Sequence, residues 1–195
     1  FDAMQSSDLE RILKETDFTC EQLIERAARL CKRIVDSNVT KYNVGTAVWQ
    51  RPAEVSRVIL VPGQVESDAS LAYGAPGIKT NMALLQSVRT ANPDAFLVYK
   101  PHPDVLAGLR AEGQDEDQAC TWCDEQVTDV AMGTLLSDVD EIHTMTSLAG
   151  FEALLRGKRV VCYGQPFYSG WGLTDDLIPV SRRTRRLRLE ELIAG

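Results

Sequence analysis

The sequence predicts an α/β fold, a mostly parallel, doubly wound sheet with helices on both faces. Three observations predict it. From residue 57 onward, apolar runs of strand length alternate with stretches of helical periodicity. The strand runs, such as "RVILVPG" and "AFLVY", are apolar without interruption, as in strands buried on both faces. The unusual residues gather after those runs, at the strand ends where such a sheet places its ligand-binding loops.

The elements follow in order. Residues 8–16 predict a short helix and residues 19–37 a longer one. In the longer one, Thr19 and Gln22 have capping-box spacing, and Leu23, Ile24, Ala27, Leu30, Ile34 and Val35 recur at helical intervals. Residues 38–56 form a connector with few signals. "RVILVPG" is the first strand, ending in a Pro-Gly turn, and a polar loop covers 63–79. "TNMALLQSVRTANP" is a helix capped by Thr80 and stopped by Pro93. "AFLVYKPHP" is the second strand, "PDVLAGL" a short helix, and 111–125 a charged loop. "QVTDV" and "DEIHTM" are the third and fourth strands, with the helical turn "MGTLLSDV" between them. "SLAGFEALLRGK" is a helix with Gly157 near its end as a stop signal. "RVVCYG" is the fifth strand, "QPFYSGWGLTDD" a loop rich in glycine and aromatics, and "LRLEELIAG" a terminal helix. This divides the chain into N-terminal helices and connector, 1–50, and a Rossmann-like domain, 51–195.

Composition narrows the function classes. The chain has 195 residues and a formal net charge of −7, which argues against a duplex nucleic-acid binder. No apolar run approaches the roughly 18–20 residues of a membrane span, and no signal segment opens the chain. Both ends read as cut from something longer. The five cysteines, an odd number without regular spacing, fit a reduced cytoplasmic protein better than a disulfide framework. Cys31 and Cys162 read as core thiols. The isolated "ACTWC" pair, Cys120 and Cys123, lacks the two further ligands a zinc site needs. The basic run "RRTRRLR" reads as a solvated or partner-facing surface, with an anionic ligand or membrane surface as the other option.

The chemistry is expected in four loops. In "TMTSLAGFEAL", Thr146 and Ser147 stand where a strand enters a helix, and a helix start with hydroxyls suits a phosphate. Simple N-capping explains them equally well in isolation. Glu152, six residues after Thr146, is spaced to accept from ribose hydroxyls. In "YKPHPDV", Pro101 and Pro103 restrict the backbone around His102, so its imidazole has a fixed direction. An imidazolium there would pair with a phosphate, and Lys100 would add charge. His143, inside a strand, reads as a satisfied histidine. In "QVESDAS", Glu66 and Asp68 are both placed to act as base or nucleophile toward a sugar carbon, with Gln64 orienting substrate. In "YGQPFYSGWGLTDD", Gly164, Gly170 and Gly172 permit close backbone approach, and Phe167, Tyr168 and Trp171 offer flat faces to a base or sugar, or to a neighbouring domain.

These segments together resemble the capsule polysaccharide biosynthesis and export proteins of the KpsC/LipA type. The resemblance is carried by "QVESDAS", "YKPHPDV", "HTMTSLAGFEALLRGKRVVCYGQPFYSGWGLTDD" and "RRTRRLRLEEL", and spans roughly residues 57–192. It implies one half of a two-Rossmann (GT-B type) glycosyltransferase, in a protein whose other domains complete the cleft. The implied reaction is transfer of Kdo from CMP-Kdo to a phosphatidylglycerol-type glycolipid, with retention of configuration. The implied place is the cytoplasmic face of the inner membrane, peripheral to it and beside the capsule assembly and export machinery. By resemblance, His102, Thr146 and Ser147 face the CMP phosphate and Glu152 the ribose. Lys100, Gln64, Gly164, Tyr168 and Trp171 complete the substrate site. Asp68 is the catalytic carboxylate, with Glu66 as runner-up. Family members often carry two adjacent acids after this glutamate, and here the first is Ser67. No cofactor or metal is implied, since the quoted segments hold no Asp-x-Asp pair. Two other readings are a catalytically silent nucleotide-binding or assembly module of the same protein, and a sugar-nucleotide epimerase.

Overall fold

A computed structural model describes residues 5–195. The first four residues of the expected N-terminal segment therefore lie outside the described residues. The described residues form one sheet of six parallel strands: β1 (Val58–Pro62), β2 (Phe96–Lys100), β3 (Glu125–Gln126), β4 (Glu141–Thr144), β5 (Arg159–Cys162) and β6 (Asp175–Asp176). Their order is β3-β2-β1-β4-β5-β6. The chain builds outward from β1 to β3, then returns to the other side of β1 for β4 to β6. The crossovers leave in opposite directions at β1 and β4, opening a crevice outside the carboxyl ends of those two strands.

Alternation along each strand explains the unbroken apolar runs. Val58 and Leu60 face one core, with Val98, Leu135, Ile142 and Ala153. Ile59 and Val61 face the other, with Leu84, Leu85, Val88, Leu97 and Tyr99. Helices α1 (Asp8–Glu15), α2 (Glu21–Asp36), α3 (Ala69–Gly74), α4 (Asn81–Ala91), α5 (Pro103–Leu106), α6 (Met132–Asp138), α7 (Leu148–Leu155) and α8 (Leu189–Ala194) surround the sheet. Thr80 caps α4 as expected, accepting from Ala83 N at 3.2 Å. The Thr19–Gln22 capping box does not form. The Thr19 N–H donates instead to Asp17 Oδ1 at 3.2 Å, and α2 begins after Cys20, which makes no side-chain cap. The polar loop 63–79 contains α3, and the charged loop 111–125 contains a 3-10 turn at Glu116–Thr121. Tyr99 anchors that turn by donating its hydroxyl to buried Glu116, which also accepts from Gly113 N.

His143 is buried, with Glu141 Oε2 3.3 Å from Nε2 and the Tyr163 hydroxyl 3.4 Å from Nδ1. Burial alone would raise the Glu141 carboxyl. Hydrogen bonds from His143 and Arg57 outweigh it and bring the pKa to about 2.

The basic run divides: Arg186 and Arg188 are exposed, whereas Arg182, Arg183 and Arg185 are bonded into the fold. Arg182 and Arg183 donate to Glu10 of α1, and Arg183 also donates to Pro166 O and Ser169 O. Arg185 donates to Leu13 O, Lys14 O and Thr16 O. Glu10 and Arg183 are 2% and 7% exposed, so a charged pair has been taken out of water to join α1 to the tail. Leu13 and Phe18 share the first core with Trp171, Leu187 and Leu192, and α2 packs along α8. Burial pushes the Glu10 carboxyl upward, but the two guanidinium groups hold it below its ordinary value. Its contribution is therefore full at neutral pH and is lost as pH falls below the ordinary carboxylate range. We expect Glu10→Ala to cost about 3–5 kcal/mol in urea denaturation, because it strands a buried guanidinium. A loss under about 1 kcal/mol, the range of surface pairs, would show that this contact does not hold the tail.

Candidate functional site

The crevice holds a cavity of about 790 Å³. Its walls come from the turn after β1 (Gly63, Gln64, Asp68), the end of β2 (Lys100 to Asp104), the start of α7 (Thr146 to Ala149, and Glu152) and the connector (Lys41, Tyr42, Val44). The loop after β5 adds Gln165, Pro166 and Phe167, so all four loops expected at the strand ends converge here.

Gln64 binds the two central strand ends to each other. Its side-chain oxygen accepts from Thr146 N at 2.9 Å and from the Thr144 hydroxyl at 3.3 Å, and its Nε2 donates to Thr146 Oγ1 at 2.9 Å. Asn81, the first residue of α4, brackets the Gln64 main chain through Oδ1 and Nδ2, both at 2.9 Å. Gln64 lines the cavity, and its amide builds the site by holding Thr144 and Thr146.

The expected hydroxyl pair is in place. Thr146 Oγ1 accepts from Gln64, and Ser147 Oγ caps α7 by accepting from Ala149 N at 3.2 Å. N-capping and ligand binding are therefore compatible. A hydroxyl that accepts one bond retains its own O–H to donate, and α7 adds the positive end of its dipole.

His102 lines the cavity and caps α5, its Nδ1 accepting from Asp104 N at 3.2 Å. That bond places the ring proton on Nε2. Burial lowers the imidazole pKa, with Asp104 opposing and Lys41 reinforcing it. With these protein groups alone around it, the neutral ring, an N–H donor through Nε2, is thus favoured over the imidazolium. Lys100 is 7% exposed and donates to Thr128 O at 3.3 Å, and burial lowers its pKa too.

The three carboxylates differ. Asp68 is exposed, lines the cavity at the start of α3, and accepts from the Ser70 hydroxyl at 3.0 Å. Glu66 points away from the cavity, accepting from Asn81 N at 2.7 Å and Gln114 N at 3.0 Å. It is a loop tie and not a catalytic candidate. Glu152 lines the cavity, with Oε1 accepting from Lys41 N at 2.6 Å, and burial raises its pKa.

The loop after β5 requires three corrections. Tyr168 and Trp171 are fully buried and offer no face to a ligand. Tyr168 donates its hydroxyl to Ser147 O at 2.5 Å, while Trp171 donates Nε1 to Phe167 O at 2.9 Å. Tyr168 thus supports the α7 start from behind. Gly164 does permit close approach, but of other backbone: a Cβ there would lie 2.7 Å from Met145 O and 2.8 Å from Gly74 O. Phe167 alone of the three aromatics reaches the cavity. The sequence reading missed Lys41, Tyr42 and Asn81. The connector has no periodicity to mark it, whereas an asparagine directly after the Thr80 cap was a usable sign. Among the described residues, no group of three or more His, Cys, Asp or Glu is arranged to hold a metal, and no helix is long and apolar enough to cross a membrane.

The sequence matches the capsule polysaccharide biosynthesis protein family over residues 7–194. The chain belongs to that family. Within it, the chain is 50% identical over all 195 residues to the capsule polysaccharide modification protein LipA of Neisseria meningitidis serogroup B, covering 28% of that protein. It is 44% identical to the lipopolysaccharide-processing protein LpsZ of Rhizobium meliloti, covering 45% of it. Two structures of Thermosulfurimonas dismutans KpsC superpose on 99% of the chain. The one described as a beta Kdo 2,7 transferase has TM-score 0.81 and 43% identity, with 59% of its chain covered. The one described as a beta Kdo 2,4 transferase has TM-score 0.85 and 31% identity, with 60% covered. Over the matched part, the KpsC structures share the fold described above.

We expect the His102 ring, followed by NMR, to titrate below the ordinary histidine value of about 6.5. At pH 7 its nitrogen shifts should report the Nε2-protonated tautomer. A midpoint above that value would overturn the neutral-donor assignment.

Proposed function

We propose that this chain is the donor-binding half of a retaining glycosyltransferase that moves Kdo from CMP-Kdo to a lipid-linked acceptor in capsule linker synthesis. One observation carries the reading: the α7 start, with Thr146 and Ser147, and the proline-flanked His102 line the same cavity at the strand-order switch point. Family membership and likeness to KpsC support it. The acceptor, a phosphatidylglycerol-type glycolipid, would approach from the remaining domains of the full protein, at the cytoplasmic face of the inner membrane and near the export machinery.

The donor phosphate would lie between the Thr146 and Ser147 hydroxyls and His102 Nε2–H, with the α7 dipole behind it. An anion there favours protonation of His102, so its pKa rises on binding. Affinity for CMP should therefore increase as pH falls from 8 toward 6. The ribose would face Glu152. Asp68 is the nucleophile. Its carboxylate oxygen attacks the anomeric carbon of Kdo as the bond from that carbon to the phosphate oxygen breaks, and the electron pair leaves with CMP. The acceptor hydroxyl then attacks the same carbon, its proton passing to water, and displaces the Asp68 carboxylate. Two inversions give net retention.

Kdo transfer by the intact protein tests this. Asp68→Ala and His102→Ala should each lower the rate by about a hundredfold or more, the scale of removing a nucleophile or a proton-donating group. Unchanged transfer in both variants, with CMP still bound, would mark this chain as a silent nucleotide-binding module. Binding of UDP-sugars in place of CMP would instead point to the epimerase class.

A further inference from the structure

The connector between α2 and β1 carries few sequence signals, yet it is pinned on both sides of the cavity. On one side, Arg156, the residue that caps the end of α7, donates to Asn38 Oδ1 at 3.3 Å. On the other, the Thr46 N–H and hydroxyl donate to the Asp129 carboxylate at 3.2 and 3.0 Å, and Ala47 forms a parallel bridge with Val130. Gly45 makes the bend between them. Its φ is +115°, and a Cβ there would meet the Val130 carbonyl carbon at 2.6 Å, so a larger residue is excluded twice over.

Between these pins, Lys41 and Tyr42 touch two separate site residues. The Lys41 N–H donates to Glu152 Oε1 at 2.6 Å. The Tyr42 ring meets the His102 ring edge-on, with centroids 5.3 Å apart and planes at 82°. The Tyr42 hydroxyl lies 3.5 Å from Asp104 Oδ2, and the Asp104 N–H is the group that fixes His102 Nδ1. Lys41 Nζ stands 4.9 Å from the centroid of the Tyr42 ring. One residue thus reaches the carboxylate side of the cavity with its main chain and the imidazole side with its ammonium.

We propose that Lys41 is a further nucleotide-binding residue whose ammonium pairs with the donor phosphate opposite the α7 start, and that Tyr42 is the positioning residue for the His102 ring. Of the other cations of the cavity, Arg183 is committed to Glu10, and Lys100 is buried and bonded to Thr128 O. Arg110 lines the His102 side as well, and Lys41 is set apart from it by its joint contact with Glu152 and the Tyr42 ring. The Lys41 ammonium rests over a ring face, a contact that yields readily to an anion. The proposal rests on the nucleotide reading above.

The test is calorimetry on the 195-residue chain with CMP and with cytidine, which shares the base and ribose but lacks the phosphate. Lys41→Met keeps the main-chain N–H and removes the charge. It should weaken CMP about tenfold at low salt, as loss of a charge-assisted hydrogen bond would, and leave cytidine unchanged. Equal weakening of both ligands, or of neither, overturns the Lys41 assignment. Tyr42→Ala should shift the His102 midpoint and tautomer signals, and Tyr42→Phe, which keeps the ring, should restore them. Unmoved His102 signals in Tyr42→Ala overturn the positioning role. Failure of the unaltered chain to bind CMP would sink the nucleotide reading itself, an outcome distinct from the others.

Discussion

The side-chain amide of Gln64 is the contact on which the site depends. A parallel sheet that winds both ways from its centre has a gap at the reversal, because adjacent strand ends lead to helices on opposite faces. That gap leaves main-chain groups facing a cleft, and in a buried setting they need partners. Gln64 supplies them from one side with a donor and an acceptor on the same group, and only an amide offers both in that geometry. A carboxylate could not donate to Thr146 Oγ1, and an apolar residue would leave the Thr146 N–H unpaired. Asn81 repeats the device one layer back, gripping Gln64 by its own main chain.

The site divides into a rigid half and a half held by the connector. Thr146, Ser147 and Gln64 are locked by strands, by α7 and by Tyr168 beneath. His102 and Glu152 are also on regular elements, but each leans on a neighbour from residues 41–42. On the proposed reading, a donor entering this cavity would meet a preformed set of hydroxyls on one side and the Lys41 ammonium beside the His102 ring on the other. Preorganised donors cost nothing to arrange when charge arrives.

The fold was legible because burial on both faces writes itself into sequence as uninterrupted apolar runs. "VILVP" and "FLVYK" needed no partner to be recognised as inner strands. The short β3 and β6 lie at the edges, where two residues of pairing leave little pattern. At the site, prolines around His102 and the strand-to-helix step at Thr146 were local signals of local constraints, and both led to the cavity. Tyr168 and Trp171 misled for a physical reason. Glycines beside aromatics can mean an open loop that stacks ligands, or a tight loop that folds its own rings inward. Sequence does not separate these, because the difference lies in what covers the loop: here α1 and the arginine tail. Arg182, Arg183 and Arg185, read as part of a charge cluster, are bonded to carbonyls and a carboxylate almost a whole chain length away. Glu66 and Asp68 stand two residues apart, yet only the fold assigns one to a neighbouring loop and the other to the cavity.

The join between Glu10 and Arg183 sets an order of events during synthesis. Helix α1 leaves the ribosome well before the residues that complete its surroundings, since Arg183 follows Glu10 by 173 residues. At roughly 5–20 residues per second, α1 and α2 wait on the order of ten seconds or more for the tail. Through that interval Leu13 and Phe18 lack the covering of Leu187 and Leu192, and the Glu10 carboxylate remains hydrated. The central strands can assemble around β1 in the meantime. The face beneath the N-terminal helices closes last, so a nascent chain halted before residue 183 would display an apolar surface to the chaperones around it.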